Sequence, residues 1–328
     1  MIQKTSFTYT LTPEQQTALI EHLQAGGYRP REVEHTRIAV EATDCQIALF
    51  KSGKLLVQGK GAKEWITFTL EPNILLEARL GYEDVLNPEL LQPHMGIDES
   101  GKGDFFGPLV IAAAYVDERL IPALRSLNVR DSKTITSDRK AEEMAKDIRQ
   151  VLGNRHSLVV IGPRAYNRLY ASMNNVNRIL AWGHARAIEN LLEQVPDCPR
   201  ALSDQFGPKR QIEMALMKKG RTIKLEQRPK AESDIAVAAA SVLARAGFLA
   251  ALRKMREVYG VDIPKGASDL VKAAAAELIR KKEPAVLLDV AKCHFKTTDV
   301  ILAGLSLARS VLGPEGAAVS KPYERGKR

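Results

Sequence analysis

The chain has 328 residues, 45% of them hydrophobic and 27% charged, which excludes global disorder and supplies cores for two domains. Cys45, Cys198 and Cys293, with no C-x-x-C pair, exclude a disulfide framework and a cysteine zinc site and fit a reducing cytoplasm. The 48 Lys and Arg against 39 Asp and Glu leave a net charge of +9, which favours a polyanionic partner without requiring one. The start, MIQKTSFTYT, lacks an apolar core, so no secretory signal is expected. No unbroken apolar run reaches the ~18 residues of a membrane span.

Residues 6–11 alternate polar and apolar, which predicts a strand. Thr12-Pro13-Glu14 predicts a helix start, with Thr12 as cap and Pro13 in the first position. That helix carries Leu19, Ile20 and Leu23 and stops at Gly26-Gly27. Strand-like runs follow at residues 37–42, 46–50 and 55–58, with a hairpin at Ser52-Gly53 between the last two. A second helix is expected from Ala62, carrying Trp65, Ile66 and Phe68. Strands under covering helices make a curved α+β sheet with one face open. Lys51, Lys54 and Lys60 lie near that face and read equally as a binding surface or as solvated guards of strand edges.

Residues 85–93 (VLNPELLQP) hold two prolines and no period, and read as a linker. The expected domains are therefore 1–84 and 94–312, with a basic tail over 313–328 whose last residues, 321–328, are loose. In the second domain Met95-Gly96-Ile97 leads into Asp98-Glu99, then a glycine-rich turn over residues 100–107. Leu109–Val116 follows, an apolar run of the kind a strand buried on both faces shows. Next come a helix over Asp138–Leu152, a strand at 157–161, a long helix at 177–192, and strands at 200–203 and 222–226. Glu232 is read as the head of a long alanine-rich helix, with Ile235, Ala239, Val242, Ala246 and Leu249 along one face. Helical stretches at Asp269–Lys281 and 287–291 fill the end. An antiparallel pair followed by alternating strands and helices predicts a mixed α/β sheet covered by helices.

Adjacent acids are ordinarily a solvated turn. Asp98-Glu99 instead ends an apolar segment and abuts a turn into a buried strand, so both carboxylates sit at the end of a central strand. Desolvation there is costly without a compensating cation. Oxygen donors with no His or Cys beside them select a hard cation, Mg²⁺ or Mn²⁺. Asp204 ends the 200–203 strand, and singly it reads as a turn former, as Glu232 reads as a complement to the helix dipole. Together with Asp98 and Glu99 they are four carboxylates able to converge on one end of a sheet. Two divalent cations need such a set to activate water and stabilise a leaving oxygen at a phosphodiester.

The turn Gly101-Lys102-Gly103-Asp104-Phe105-Phe106-Gly107 has neither Walker A nor G-x-G-x-x-G spacing and joins strand to strand, which excludes an NTPase or dinucleotide site. Its glycines expose backbone amides beside a lysine, which suits close approach of a sugar or phosphate. Asp104 is read as fixing the turn, and Lys133 as a candidate phosphate contact. His294 reads as structural or phosphate-side, Trp182 and His184 as helix packing, and Cys293 as a small buried apolar residue.

Residues 96–108 (GIDESGKGDFFGP) resemble the opening motif of bacterial ribonuclease HIII, of the type 2 ribonuclease H family. The resemblance continues through Asp131-Ser132-Lys133, residues 174–192 (NNVNRILAWGHARAIENLL), Asp204-Gln205-Phe206 and Lys230-Ala231-Glu232. It then takes in residues 236–245 (AVAAASVLAR) and reaches His294-Phe295-Lys296, covering essentially the whole chain beyond the linker. It implies an RNase H-like mixed sheet with flanking helices, and an N-terminal domain resembling the TATA-binding-protein fold. The implied activity is hydrolysis of the RNA strand of RNA–DNA hybrids, leaving 5′-phosphate and 3′-hydroxyl ends. The family's catalytic, metal-holding acids fall on Asp98, Glu99, Asp204 and Glu232, with two Mg²⁺ or Mn²⁺ ions. Gly101, Lys102 and Gly103 match the residues that read the ribose 2′-hydroxyl. In the sister family, ribonuclease HII, the last acid is Asp and Lys102 is usually Arg, so Glu232, Lys102 and the N-terminal extension resemble HIII.

Two other readings stand beside this one. One is junction cleavage at single ribonucleotides in DNA, as in ribonuclease HII; the other is a non-catalytic hybrid-binding protein. Substrate binding by Lys51, Lys54 and Lys60 of the N-terminal domain is expected, as is a monomer with no obligate protein partner and no membrane.

Overall fold

In the computed structural model the chain divides into two units, Met1–Leu90 and Leu91–Arg328. The residues described are 5–77, 91–129, 132, 135–204, 207–216, 220, 223–228 and 231–320. Of the expected linker, residues 85–90 lie outside them, as does the tail over 321–328.

The first unit holds β1 (Ser6–Thr10), α1 (Pro13–Ala25), β2 (Arg29–Pro30), β3 (Thr36–Ala42), β4 (Cys45–Phe50) and β5 (Lys54–Gln58). Its sheet has the order β1-β5-β4-β3-β2 and is antiparallel throughout. α1 starts at Pro13 because the Thr12 hydroxyl accepts from the Gln15 amide while the Gln15 side chain accepts from the Thr12 amide. A cap of this kind is worth ~1 kcal/mol. The β4–β5 hairpin turns on Gly53, whose φ of +78° favours glycine. Phe7, Val40, Ile47, Leu49, Leu55 and Val57 form the buried face, against Leu19 and Leu23 of α1 and Trp65, Ile66 and Leu70. Strand alternation leaves Thr8, Thr10, Lys54 and Gln58 exposed on the other face.

The second helix departs from expectation. α2 covers Ala62–Trp65, and the chain then winds more widely as a π-helix over Ile66–Leu75. Pro72 lies inside that stretch and has no N–H for an α-helical ladder.

The second unit is built on a five-stranded sheet of order β10-β9-β6-β7-β8. β6 (His94–Ser100) is central; it pairs antiparallel with β7 (Leu109–Val116) and parallel with β9 (Arg200–Asp204). β8 (His156–Ile161) and β10 (Lys224–Arg228) are the edges. β7 shows why its run is apolar without alternation. Val110, Ala112, Ala114 and Val116 enter one core with α3 (Leu120–Ser126), α4 (Asp138–Leu152) and the long α8 (Ile235–Tyr259). Leu109, Ile111 and Ala113 enter a second core, with α5 (Pro163–Met173) and α6 (Val176–Leu192). Helices thus cover both faces.

Several boundaries differ from the sequence reading. β10 runs to Arg228 because it pairs parallel with β9 from Lys224↔Arg200 to Arg228↔Asp204; Thr222 lies outside the described residues. Glu232 does not head α8. It sits in a 3₁₀ turn, Ala231–Ser233, and Asp234 caps the helix by accepting from the Ala236 and Val237 amides at 2.8 and 3.3 Å. An Asp reaches those amides as a cap, and a Glu earlier in the chain does not. α5 has no counterpart in the sequence reading, although Pro163 stands in its first turn. The expected tail is held through residue 320. α7 (Lys209–Ala215) precedes α8, and α9 (Asp269–Lys281), α10 (Leu287–Val290) and α11 (Lys296–Gly304) follow it, so that of these helices α12 (Gly313–Ala317) lies in the expected tail. Arg309 donates to the carbonyls of Gly316 and Ala318 at 2.9 and 3.3 Å, and the Ser320 amide to His294 at 3.0 Å. α8 is long and apolar enough to cross a membrane by length and composition, but 72% of its most apolar window is buried inside the protein. It is a core helix.

Candidate active site

Asp98 and Asp204 are brought together by strand register. β6 and β9 run parallel, and their last paired rung is Ile97↔Ser203. Asp98 and Asp204 are the next residues on each strand, with backbones about 5 Å apart at the usual strand spacing. α8 packs against β6 so closely that a Cβ on Gly96 would lie 2.1 Å from the Val237 nitrogen. Only glycine permits that approach. It brings Ser241 of α8 to Asp98, to which it donates a hydrogen bond.

Asp98 and Glu99 are successive strand residues and so lean to opposite faces. Asp98 meets α8. Glu99 meets α6, where the Nε2–H of His184 donates to Glu99 Oε2 at 3.1 Å. Lys102 Nζ stands 3.6 Å from the other oxygen, Oε1. The Glu99 amide closes the pair by donating to Asp98 Oδ1 at 2.8 Å.

These surroundings split two neighbouring acids. Burial, reinforced by the charge of Glu99, pushes the Asp98 carboxyl up to about 6, against hydrogen bonds from Ser241 and the Glu99 amide. Burial also raises Glu99, but His184 and Lys102 outweigh it and hold that carboxyl below its usual range. Asp98, Glu99 and Asp204 offer oxygen donors alone, and a divalent cation offsets both the burial and the Glu99 repulsion that raise Asp98. The residues therefore fit a hard cation.

The acids line a cleft of about 530 Å³ shared with Gly101, Lys102 and Gly103. Ser132, Ser241, Arg245 and Lys265 line it as well. Ser132 and Ser241 share a hydroxyl hydrogen bond at 2.8 Å. Arg245 donates to the carbonyls of Ser132 and Ile135 and, at 2.8 Å, to Asp138. Ser132 is thereby pinned beside Asp98; Lys133 lies outside the described residues.

The two glycines of the turn differ. Gly101 has φ +87°, and a Cβ there would lie 2.3 Å from the Pro108 carbonyl oxygen. Its conformation and its neighbour both require glycine. Around Gly103 a Cβ would meet nothing within 4 Å, so that position opens on the cleft. Asp104 fixes the turn as expected: its Oδ1 accepts from the Gly266 amide at 2.6 Å.

Glu232 is half-buried in its 3₁₀ turn, where Ala231 packs with Leu202 and Val237. It does not line the cleft, and among the described residues no three His, Cys, Asp or Glu side chains form a ready-made metal shell. Lys51, Lys54 and Lys60 belong to the other unit and are exposed; Lys54 alone sits on the open sheet face, the others in turns at either end of β5. His294 is buried and stacked on Tyr170 at 4.3 Å. Burial, with Lys292 and Arg309 nearby, drives its pKa down to about 3, so it is a neutral packing ring. Cys293 is buried, and Trp182 packs against the second core. His184 is the correction, since it partners a site carboxylate rather than only packing. Its signal was a lone His on an apolar helical face, and Ser241 was a lone hydroxyl in an alanine run; neither names its partner.

Comparison with known proteins gives concordant matches. The ribonuclease HII family profile matches residues 95–298. Ribonuclease HIII of Protochlamydia amoebophila is 39% identical over 296 residues, covering 90% of this chain and 96% of that one. Ribonuclease HIII of Chlamydia pneumoniae is 39% identical over 303 residues, 91% of this chain and 98% of the other. Among solved structures, Bst-RNase HIII in complex with Mn²⁺ superposes with a TM-score of 0.63 at 30% identity, covering 91% of this chain and 98% of that one.

Proposed function

The chain belongs to the ribonuclease HIII family, and from that premise we propose that Asp98, Glu99, Asp204 and Glu232 are its catalytic acids. It is a metal-dependent endoribonuclease that hydrolyses the RNA strand of RNA–DNA hybrids. The observation that carries the assignment of residues is the meeting of Asp98 and Asp204 at the ends of adjacent parallel strands, in one cleft with the glycine–lysine turn. Two Mg²⁺ or Mn²⁺ ions supply an activated water and charge stabilisation at the leaving oxygen, giving 5′-phosphate and 3′-hydroxyl ends. Asp98 and Asp204 would hold them and Glu99 would complete the oxygen set in the cleft, with Glu232, outside the cleft lining, assigned by its place in the family resemblance. His184 and Lys102 keep Glu99 ionised and aimed. The turn of Gly101, Lys102 and Gly103 receives the ribose 2′-hydroxyl, while Lys133 meets a phosphate.

Cleavage assays on an RNA–DNA hybrid and on a DNA duplex with one embedded ribonucleotide, each with Mg²⁺ and Mn²⁺, test this reading. Hybrid cleavage to 5′-phosphate products is expected. Cleavage at the single ribonucleotide alone would overturn it in favour of a junction enzyme.

The first unit is proposed as a substrate-binding domain over residues 1–84, resembling the TATA-binding-protein fold, with 85–93 linking it to a catalytic domain that starts at 94. Support comes from a sheet packed on one face and polar on the other, where Thr8, Thr10, Lys54 and Gln58 are exposed. Each phosphate contact contributes about −0.9 to the slope of log affinity against log salt on B-DNA. Deleting the domain is expected to flatten the slope by roughly two or three units and to raise KM more than it lowers kcat, since uniform binding is what is removed. A salt series of hybrid cleavage by the folded truncated protein checks this; an unchanged slope and KM would make the lysines edge guards. A monomer in a reducing cytoplasm is the accompanying reading, in keeping with three free, buried cysteines.

A further inference from the structure

Beneath the glycine–lysine turn lies a lysine with no part in the chemistry above. Lys292, just after α10, is wholly buried. Its ammonium donates to the carbonyls of Gly107 at 2.7 Å, Phe106 at 3.2 Å and Pro108 at 3.5 Å. Its amide donates to the Phe105 carbonyl at 2.8 Å, and the Gly107 amide donates back to Val290 at 2.8 Å. An ammonium has three protons, and three carbonyls stand where its water shell would be. Burial pulls this lysine's pKa down to about 7, even with the charge of Asp104 opposing. Burying a lysine is expensive, and an apolar residue would fill the same space without that cost. The position therefore asks what the ammonium contributes.

Pro108 supplies the link to function. Its carbonyl oxygen, held from below by Lys292, is also the atom a side chain on Gly101 would strike at 2.3 Å. The Gly101 backbone rests directly on that carbonyl. On the far side the turn is tied to Gly266, through the Asp104 carboxylate at 2.6 Å and the Phe105 amide at 2.9 Å. Between these anchors Lys102 and Gly103 stand exposed.

We propose that Lys292 is a positioning residue whose ammonium sets the height of the Gly101–Gly103 backbone, so that the turn accepts a ribose 2′-hydroxyl and discriminates against deoxyribose. The proposal rests on the reading of that turn as the ribose reader. Discriminating one hydroxyl demands a backbone fixed to within about 0.5 Å, and a misplacement of about 1 Å costs on the order of a hundredfold.

Lys292→Met keeps length and volume but removes the donors; Lys292→Gln keeps some of them. Three quantities are measured on each folded full-length variant. They are kcat and KM on a hybrid, inhibition of that cleavage by an all-DNA duplex of the same sequence, and Mn²⁺ affinity by calorimetry. Expected for Lys292→Met are a fall in kcat/KM of about a hundredfold, a DNA-duplex Ki that converges on the hybrid KM, and an unchanged Mn²⁺ affinity. Lys292→Gln should fall between it and wild type. Unchanged kinetics and discrimination per folded molecule would overturn the assignment, as would failure of both variants to fold, which would make Lys292 a structural residue. Gly103→Val run alongside separates the two ideas. If it too leaves discrimination intact, the reading of the turn is at fault; if it abolishes discrimination and Lys292→Met does not, the role of Lys292 alone fails.

Discussion

Replacing Asp98 with Asn is expected to reduce hybrid cleavage by about a thousandfold or more, as the loss of several kcal/mol of metal-borne stabilisation requires, while the metal-free protein becomes more stable. The stability half follows from the carboxyl's raised pKa. Burial and the charge of Glu99 lift it from 3.8 to about 6 in the fold. Between those values the folded state binds more protons than the unfolded, so stability falls as pH rises through that window. Above pH ~6 the full penalty, up to about 3 kcal/mol, is present. Asn keeps the shape and carries no charge. The stability gap between variant and wild type should therefore be near zero below pH ~4, open through the window and level off above it. Divalent ions should reverse the order, because they stabilise wild type by mass action and have lost a ligand in the variant. Asp204→Asn should lose cleavage to a similar degree. Thermal melts over pH 4–8 with and without Mn²⁺, beside cleavage assays, check both halves; near-normal turnover by either variant would remove that residue from the metal site.

The two glycines of the turn should respond oppositely. Gly103→Val should fold with a melting temperature close to wild type, since nothing lies within 4 Å of the new Cβ, yet it projects into the cleft and should cut kcat/KM by about a hundredfold or more. Gly101→Ala should lose stability first. Its backbone has φ +87° and its Cβ would meet the Pro108 carbonyl at 2.3 Å, a strain of at least about 2 kcal/mol. Melting temperature and kcat/KM, measured separately on each variant, decide the matter. If activity and stability fall in proportion for Gly103→Val, the turn is structural at both glycines.

Much of this site was legible before folding because its signals are local. The apolar run at Leu109–Val116 announces a strand buried on both faces, and the glycines before it announce a tight strand-to-strand turn. Those two facts put Asp98 and Glu99 at the end of a central strand. The cap at Thr12, the hairpin at Ser52-Gly53 and the periodic helices Asp138–Leu152 and Asp269–Lys281 were legible for the same reason: each is set by neighbours a few residues away.

What the sequence determined by itself is therefore the elements, the turn and the identity of the acids as candidates. Tertiary structure alone decided their partners. His184 meets Glu99 across 85 residues, Asp104 meets Gly266 across 162, and Lys292 meets Gly107 across 185. It also decided that Asp234 and not Glu232 caps α8, and that β10 runs to Arg228 in register with Asp204. The different charge states of Asp98 and Glu99 belong with these, since adjacent acids on one strand lean to opposite faces and meet different helices. Local propensity reaches a few residues along the chain, whereas burial and hydrogen-bond partners depend on which distant segments the two cores press together.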